Sequence, residues 1–395
     1  MAKNSRILML TPFFSPNVGG VETHLDDLTG YLSTNWCPVQ VITYQPLTAK
    51  IKAPVTERKR NLTIFRLPWL KLNLFYKFES KPLLQFLYLF PGIFFFALFY
   101  LILNFRKVTN IHGHGLAAGV ATLILSKIFF KKGILSLHTI YKFSERPLLA
   151  AIVKRLLLPL DKIMVLAQGC KDDLVKIGIP GEKISVYTCW VDNRNVFYKR
   201  DKEDCRKRLE LPQDKFLILF IARLTKEKGV NIILEIIKQT KIKDAVFVIV
   251  GDGPMRDEVE RAASASGNVI TTGSVPYEFL KIYYSAADIL LFGSVDQDYY
   301  GRVTMEALSC GLPVILPEST SYFGRAAKVR INFPQNEIGF LVPPKAEEIV
   351  RILNGISTPK AISGMSIKAR EFALENFSVK NASVFVNVYQ SCNAF

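Results

Sequence analysis

The sequence is poor in the residues from which metal and redox centres are built. Its six cysteines, at 37, 170, 189, 205, 310 and 392, include no CxxC pair, so neither a zinc site nor a redox motif is indicated. At 395 residues a disulfide scaffold is not needed either. Histidines number only four. The amino terminus, MAKNSRILMLTPFFSP, has a very short apolar run before Thr11 and Pro12. It reads as a first strand and not as a signal peptide, which gives the expectation of a cytoplasmic protein with reduced thiols. Acidic residues are in deficit, 34 against 51 Lys and Arg, for a net charge of +17.

What is present is globular. Hydrophobic residues make up 49% and charged residues 22%, which excludes a disordered chain. The length suggests two or three domains, each able to bury a core. Residues 1–195 hold 25 basic and 11 acidic residues and the remainder 26 and 23, so the first half carries nearly all of the excess charge. That half is expected to meet something anionic: a membrane surface, a phosphorylated acceptor or nucleic acid. Nucleic-acid binding calls for basic and aromatic residues interleaved over one groove. Here the basic residues are scattered and flank an apolar stretch, so no nucleic-acid partner is expected.

That stretch, residues 82–105, is PLLQFLYLFPGIFFFALFYLILNF and contains no charge. Lys71, Lys77 and Lys81 precede it, and Arg106 and Lys107 follow it. Its length and apolarity reach the range of a transmembrane helix. Pro91-Gly92 in its middle and the polar Gln85 and Asn104 argue otherwise, and the pattern on both sides belongs to one sheet. The expectation is a helix partly buried in its domain and partly dipped into a membrane surface, with a single span through 82–105 as the alternative.

Strand-like apolar runs alternate with helical stretches throughout, from Arg6–Leu10 and Val39–Tyr44 to Ala245–Val250 and Pro313–Leu316. Such alternation indicates parallel sheets covered on both faces. A polar stretch, Asp192–Asp214, separates two halves of this kind and places a boundary near residue 195. Two α/β domains in one chain put a ligand in a cleft at the carboxyl ends of their strands.

Five motifs fall at such strand ends. Gly19-Gly20 follows the first strand; it is not GxGxxG. A glycine pair lets backbone N–H groups approach an anion at a helix N-terminus, and equally serves a tight turn with positive φ. Ile111-His112-Gly113-His114-Gly115 would put His112 and His114 on one strand face, either pointing at a ligand or capping the next helix. His138, in SLHTIYKF, has a similar position and the same two readings. The loop from Arg223 to Lys228 offers two cations suited to a diphosphate, or an ordinary solvated charge run. Gly251-Asp252-Gly253-Pro254 reads first as a turn with special backbone angles, over which a ligand could also lie. Asp298 stands in a loop before a helix starting near Gly301, and Glu306 lies inside that helix. The N–H groups of Arg302, Val303 and Thr304 suit a phosphate or sugar hydroxyl, and the two carboxylates suit vicinal hydroxyls. Alternatively, the acid complements the helix dipole and the glutamate is a buried, paired one.

In their order and spacing these motifs resemble glycosyltransferase family 4, retaining enzymes of the GT-B fold. The resemblance runs almost end to end, through the GG loop, HxH, VLAQGCKDDL, VDNRNVF, Arg-x4-Lys, GDGP and an acid-x7-Glu followed by CGLPV. It implies two Rossmann-like parallel-sheet domains facing each other across a cleft. They are an acceptor domain over 1–194, a nucleotide-sugar domain over 195–370, and a helix over 371–395 that returns to the first domain. It implies that Gly19 and Gly20 face the donor diphosphate, that Arg223 and Lys228 neutralise it, and that Glu306 binds the ribose. Asp298 and the amides near Arg302–Thr304 would hold the transferred sugar, and His114 would contact it. His138, Gly253 and Gly301 complete the substrate-binding set. No metal and no cofactor beyond the nucleotide-sugar substrate is implied. Three departures stand out: Asp298 where the family usually has Glu, Thr188-Cys189-Trp190 where PNG is common, and the unusually long, charge-free apolar stretch 82–105.

The expectation is a retaining, metal-independent hexosyltransferase using a UDP-sugar in preference to a GDP-sugar. Its acceptor would be a lipid-linked sugar met at the cytoplasmic face of a membrane, in polysaccharide, glycolipid or glycoprotein glycan assembly. The alternatives are a soluble acceptor, or a non-transferase on the same fold such as a sugar-nucleotide epimerase.

Overall fold

The computed structural model describes residues 6–17, 19–48, 51–70, 74–78, 81–138, 143–240, 242, 244–292, 301–318, 333–356 and 359–393. The chain divides into two compact units: Met1–Cys189 with Asn381–Phe395, and Trp190–Lys380. The second unit thus begins at 190 where 195 was expected, and the returning segment begins at 381 where 371 was expected. Residues 190–194 stay with the second unit because the Val191 N–H donates to the Phe377 carbonyl and the Asn193 amide to that of Ala373.

The first unit holds strands β1 (Ile7–Leu10), β2 (Val39–Tyr44), β3 (Thr56–Lys59), β4 (Leu62–Leu67), β5 (Asn110–His114), β6 (Lys132–Leu137), β7 (Lys162–Val165) and β8 (Ile184–Val186). They form one sheet in the order β3-β4-β2-β1-β5-β6-β7-β8. All neighbours pair in parallel except β3 with β4. The central strands β1 and β2 are buried at every position, as a sheet with helices on both faces requires. The edge strand β3, Thr-Glu-Arg-Lys, is charged, which blunts an edge that could otherwise pair with another chain.

The long apolar helix Pro82–Asn104 lies on this sheet along one stripe. Leu89, Ile93, Ala97 and Leu101, spaced four apart, are buried with Tyr88. They pack in a core with Leu8, Leu10, Ile42 and Leu125. Its other side stays open: Leu83, Leu87, Phe95, Phe99, Ile102 and Leu103 are each 55–72% exposed. The Pro91-Gly92 step is where the helix is fastened down. The Tyr44 hydroxyl donates to the Leu89 carbonyl at 2.6 Å and accepts from the Ile93 N–H at 3.1 Å, standing where a helical bond would join those two groups. A Cβ on Gly92 would lie 2.7 Å from the Tyr44 ring and hydroxyl and 2.8 Å from Trp69. Glycine is there so that the tyrosine can enter the ladder.

The second unit holds β9 (Phe216–Ile221), β10 (Ala245–Val250), β11 (Val269–Gly273), β12 (Ile289–Leu291), β13 (Val314–Pro317) and β14 (Gly339–Val342). Its sheet, β11-β10-β9-β12-β13-β14, is wholly parallel. The expectation of two parallel-sheet α/β domains is therefore borne out. One buried ion pair ties this unit's first helix, Lys202–Arg208, to the sheet. Arg206 donates to the Asp288 carboxylate at 2.7 Å, and the Leu217 N–H donates to the same carboxylate oxygen at 2.7 Å.

Gly92→Ala is expected to destabilise the first unit by about 1–3 kcal/mol through overpacking, although alanine is the better helix former. Tyr44→Phe is expected to cost a similar 1–3 kcal/mol by stranding the Leu89 carbonyl and the Ile93 N–H. Denaturant unfolding followed by circular dichroism checks both. A stabilised Gly92→Ala would contradict the tyrosine-insertion account.

Candidate active site

The candidate residues of the first unit lie at the carboxyl ends of β1, β5 and β6. Gly19 caps the helix Gly20–Asn35 with extended backbone (φ 177°), and Gly20 opens it. Neither lies in the left-handed region, so the pair is not there for a left-handed turn. A Cβ on Gly20 would meet nothing within 4 Å, and one on Gly19 would meet only the Glu22 side chain. The glycines leave open space beside the first turn of the helix.

All four histidines of the chain meet in this unit. His112 and His114, on one face of β5, have ring centroids 4.2 Å apart. His138, just after β6, stacks on His114 at 5.3 Å. His24, from the helix behind the glycine pair, lies 5.9 Å from His138 and stacks on Tyr187 at 5.5 Å. Hydrogen bonds join the set. His114 Nδ1 and His138 Nε2 are 3.0 Å apart, and His138 Nδ1 is 3.0 Å from the Tyr187 hydroxyl. His112 Nδ1 is 2.7 Å from the Tyr389 hydroxyl and its Nε2 is 2.9 Å from Ser136 Oγ. Burial, reinforced by the neighbouring rings, holds His112 down to about 3 and His114 well below the usual histidine range. Burial alone holds His138 down to about 4. These three are neutral imidazoles at neutral pH. Among the described residues no group of three or more His, Cys, Asp or Glu is arranged to hold a metal ion.

In the second unit Arg223 and Lys228 lie on the loop between β9 and the helix Val230–Gln239. The loop turns tightly on itself: the Thr225 N–H donates to the Arg223 carbonyl, and the Gly229 N–H to that of Lys226. Gly229 caps the helix at φ 78°, a left-handed angle that favours glycine. Arg223 is exposed and Lys228 half-buried. The glycines after β10 support this loop from below. A Cβ on Gly251 would sit 1.9 Å from the Ala222 carbonyl oxygen, and one on Gly253 2.5 Å from that of Leu224. The work of Gly253 here is close backbone packing.

Glu306, on the helix Arg302–Ser309, is buried and built into a polar cluster. Tyr277 donates to its Oε1 at 2.8 Å and Tyr284 to its Oε2 at 2.7 Å. Burial first, and the Glu306 charge second, raise both phenols well above the ordinary tyrosine value, so they serve as fixed donors. Arg302 turns inward, with Nε 3.5 Å from Glu306 Oε1, and donates to Tyr277 Oη at 3.0 Å and to the Trp190 carbonyl at 3.2 Å. Trp190, one of the departures from the family pattern, thus anchors this cluster through its backbone. Of the three amides expected at the helix start, that of Thr304 is engaged by the Gly301 carbonyl at 2.6 Å. Gly301 is small because a Cβ would crowd Thr304 Oγ1 and the Phe292 ring. Val303 opens the same helix beside Arg302. Asp298 lies outside the described residues.

Sequence reasoning missed the hydroxyls that hold these groups: Ser136, Tyr187 and Tyr389 in the first unit, Tyr277 and Tyr284 in the second. The seven-residue spacing of the last two puts them on one helix face, a signal that also describes core packing.

The histidine cluster carries a pH dependence. The unfolded chain protonates these imidazoles near pH ~6.5. The folded chain does so at about 3 for His112 and about 4 for His138. Across that window the unfolded state binds more protons. Stability is therefore full above about pH 6.5 and falls as pH drops through it, by about 1.4 kcal/mol per pH unit for each histidine. Chemical denaturation of the first unit at a series of pH values checks this, and a profile flat from about pH 7 to 5 would contradict it.

With this geometry in place, comparison with known proteins is direct. The family model "Glycosyltransferase Family 4" matches residues 18–194, and "Glycosyl transferases group 1" matches residues 201–362. The phosphatidylinositol N-acetylglucosaminyltransferase GPI3 subunit of Saccharomyces cerevisiae is 26% identical over 348 residues, 82% of this chain and 72% of that one. The 2-deoxystreptamine N-acetyl-D-glucosaminyltransferase of Niallia circulans is 24% identical over 374 residues, 87% and 91% of the two chains. Among solved structures, HepE of Anabaena in complex with UDP-glucose superposes with a TM-score of 0.74 at 18% identity, over 99% of this chain and 100% of that one. The matches to both halves and the shared architecture agree: the chain belongs to glycosyltransferase family 4 and has the GT-B fold.

Proposed function

We propose that this glycosyltransferase moves a sugar from a UDP-sugar, with retention of configuration and without a metal, to a lipid-linked acceptor at the cytoplasmic face of a membrane. The observation that carries the donor half is Glu306. Its buried carboxylate is already oriented by two tyrosine donors and by Arg302 beside Oε1, and Oε2 keeps a lone pair for a ribose hydroxyl. Arg223 and Lys228 place two cations where a leaving diphosphate gains charge, which is the electrostatic help such a step needs. The departing phosphate can itself accept the acceptor proton, so no flanking pair of acids is required. The family resemblance assigns Gly19 and Gly20 to the donor diphosphate, His114 and Asp298 to hydroxyls of the sugar, and the start of the helix Arg302–Ser309 to the donor. The UDP-glucose complex of HepE and the N-acetylglucosaminyl transfer in the names of both curated relatives support UDP-N-acetylglucosamine as the first donor to test.

The acceptor half rests on the open face of the helix Pro82–Asn104. Phe95 and Phe99 are 64% and 60% exposed, and the cations of Arg106 and Lys131 sit 5.7 and 5.9 Å from the Phe105 ring at its end. Apolar side chains bordered by cations suit an anionic lipid surface. The buried stripe of the same helix supports a surface contact over a span. The yeast relative's name places phosphatidylinositol on that protein's side of the comparison.

Two measurements test the proposal. The protein is incubated with membranes and labelled UDP- and GDP-sugars, then extracted with organic solvent. Label is expected in the organic phase with one UDP-sugar, and Glu306→Ala is expected to lower donor kcat/KM about 10- to 100-fold. Label confined to the aqueous phase would move the acceptor to a soluble molecule, as the name of the Niallia relative suggests, and a new sugar nucleotide formed without acceptor would indicate an epimerase. In vesicle flotation, Phe95→Glu with Phe99→Glu is expected to release the protein from anionic vesicles with its thermal unfolding unchanged. Retention on the vesicles would remove the membrane half of the proposal.

A further inference from the structure

The wiring of the histidine cluster says more than its position does. His138 has both ring nitrogens engaged, Nε2 by His114 and Nδ1 by Tyr187. His114 has one nitrogen engaged, and its buried Nε2 has no hydrogen-bond partner. A neutral imidazole carries one N–H and one lone pair, so the chain Tyr187–His138–His114 allows only two proton arrangements. In one, the Tyr187 hydroxyl donates to His138 Nδ1, His138 Nε2–H donates to His114 Nδ1, and His114 carries its proton on Nε2. In the other, every bond is reversed and His114 Nε2 holds a lone pair. A phenol is the stronger donor of the two groups and an imidazole nitrogen the stronger acceptor, which selects the first arrangement. Burial keeps Tyr187 protonated and both histidines neutral, so the arrangement is stable at neutral pH.

We infer that Tyr187 and His138 are positioning residues that lock His114 as its Nε2–H tautomer, so that His114 gives a hydrogen bond to a substrate oxygen and cannot take a proton from it. His138, placed above among the substrate contacts by resemblance, acts here through His114. The ligand chemistry is an oxygen acceptor, a sugar hydroxyl or a phosphate oxygen. This rests on the reading of His114 as a donor-sugar contact, and it narrows that reading from a contact of either polarity to a donor. The second chain leaves His112 out of this role, because Tyr389 and Ser136 occupy both of its nitrogens.

The test is the tautomer itself. With four histidines in the chain, imidazole nitrogen–proton correlation spectra of the full-length, 15N-histidine-labelled protein give four assignable ring systems. His114 is expected with its proton on Nε2, and on Nδ1 or as a mixture in Tyr187→Phe. His138→Gln supplies an amide donor in place of His138 Nε2–H and is expected to restore the lock whether or not Tyr187 is changed. In the transfer assay Tyr187→Phe is expected to lose about five- to tenfold in kcat/KM, with His138→Gln and the double variant close to each other. A wild-type His114 protonated on Nδ1, or a tautomer indifferent to Tyr187→Phe, would overturn the inference. The wild-type spectrum needs no variant to fold and no activity to be present. A locked tautomer without transfer therefore indicts the proposed function alone, and transfer with the wrong tautomer indicts this inference alone.

Discussion

In a parallel sheet every strand ends at the same edge, and the chain must leave that edge through a loop before a helix carries it back. That constraint collects chemistry from distant parts of a sequence. In the first unit it gathers the loop after β1, the end of β5 and the residue after β6, which is why Gly19, His114 and His138 belong to one region despite their separation along the chain. In the second it gathers the loops after β9 and β10, and places Gly251 and Gly253 under the backbone that presents Arg223. The sheets impose the opposite demand on their faces. Each must be covered, and in the first unit part of that cover is a helix apolar almost all round, of which one stripe is fully buried and another face stays open.

The two units handle polarity in different ways. The first holds His112, His114 and His138 neutral by burial and ties them to one another and to the hydroxyls of Ser136, Tyr187 and Tyr389, leaving His114 Nε2 without a partner, so this cluster offers a hydrogen bond and no charge. The second keeps charge and organises it: Glu306 between two tyrosines with Arg302 behind, and Arg223 and Lys228 on a tightly turned loop. A neutral region suits discrimination among hydroxyls, and a charged one suits a phosphate leaving group.

How legible this was in the sequence follows burial. Strands covered on both faces, such as β2 and β10, stand out as apolar runs with the same limits in sequence and structure. The edge strand β3 does not, because Thr-Glu-Arg-Lys carries no apolar signal, and its antiparallel pairing breaks the alternation. The site was legible in its strand-end residues but not in its supports. Tyr389 reaches His112 across 277 positions and Tyr284 reaches Glu306 across 22, and a buried tyrosine looks like core until its hydroxyl finds a partner. The Pro91-Gly92 pair shows the reverse. It was visible as an interruption in a long apolar run, while its cause, a tyrosine from β2 entering the helix ladder, needed the fold.

The return of residues 381–395 to the first unit sets an order of events during synthesis. The second unit is one unbroken stretch, 190–380, and has all of its own strands and helices once residue 380 has left the ribosome. The first unit, although translated first, is completed last. His112 receives Tyr389, and the ring of Tyr187 receives Phe385 at 4.8 Å, only when the final helix, Ser383–Asn393, arrives. Until then the unit that carries the exposed apolar helix Pro82–Asn104 waits with its histidine cluster unsealed. Domains ordinarily finish in the sequence in which they are made; in this chain the carboxyl-terminal segment is the closing piece of the amino-terminal one.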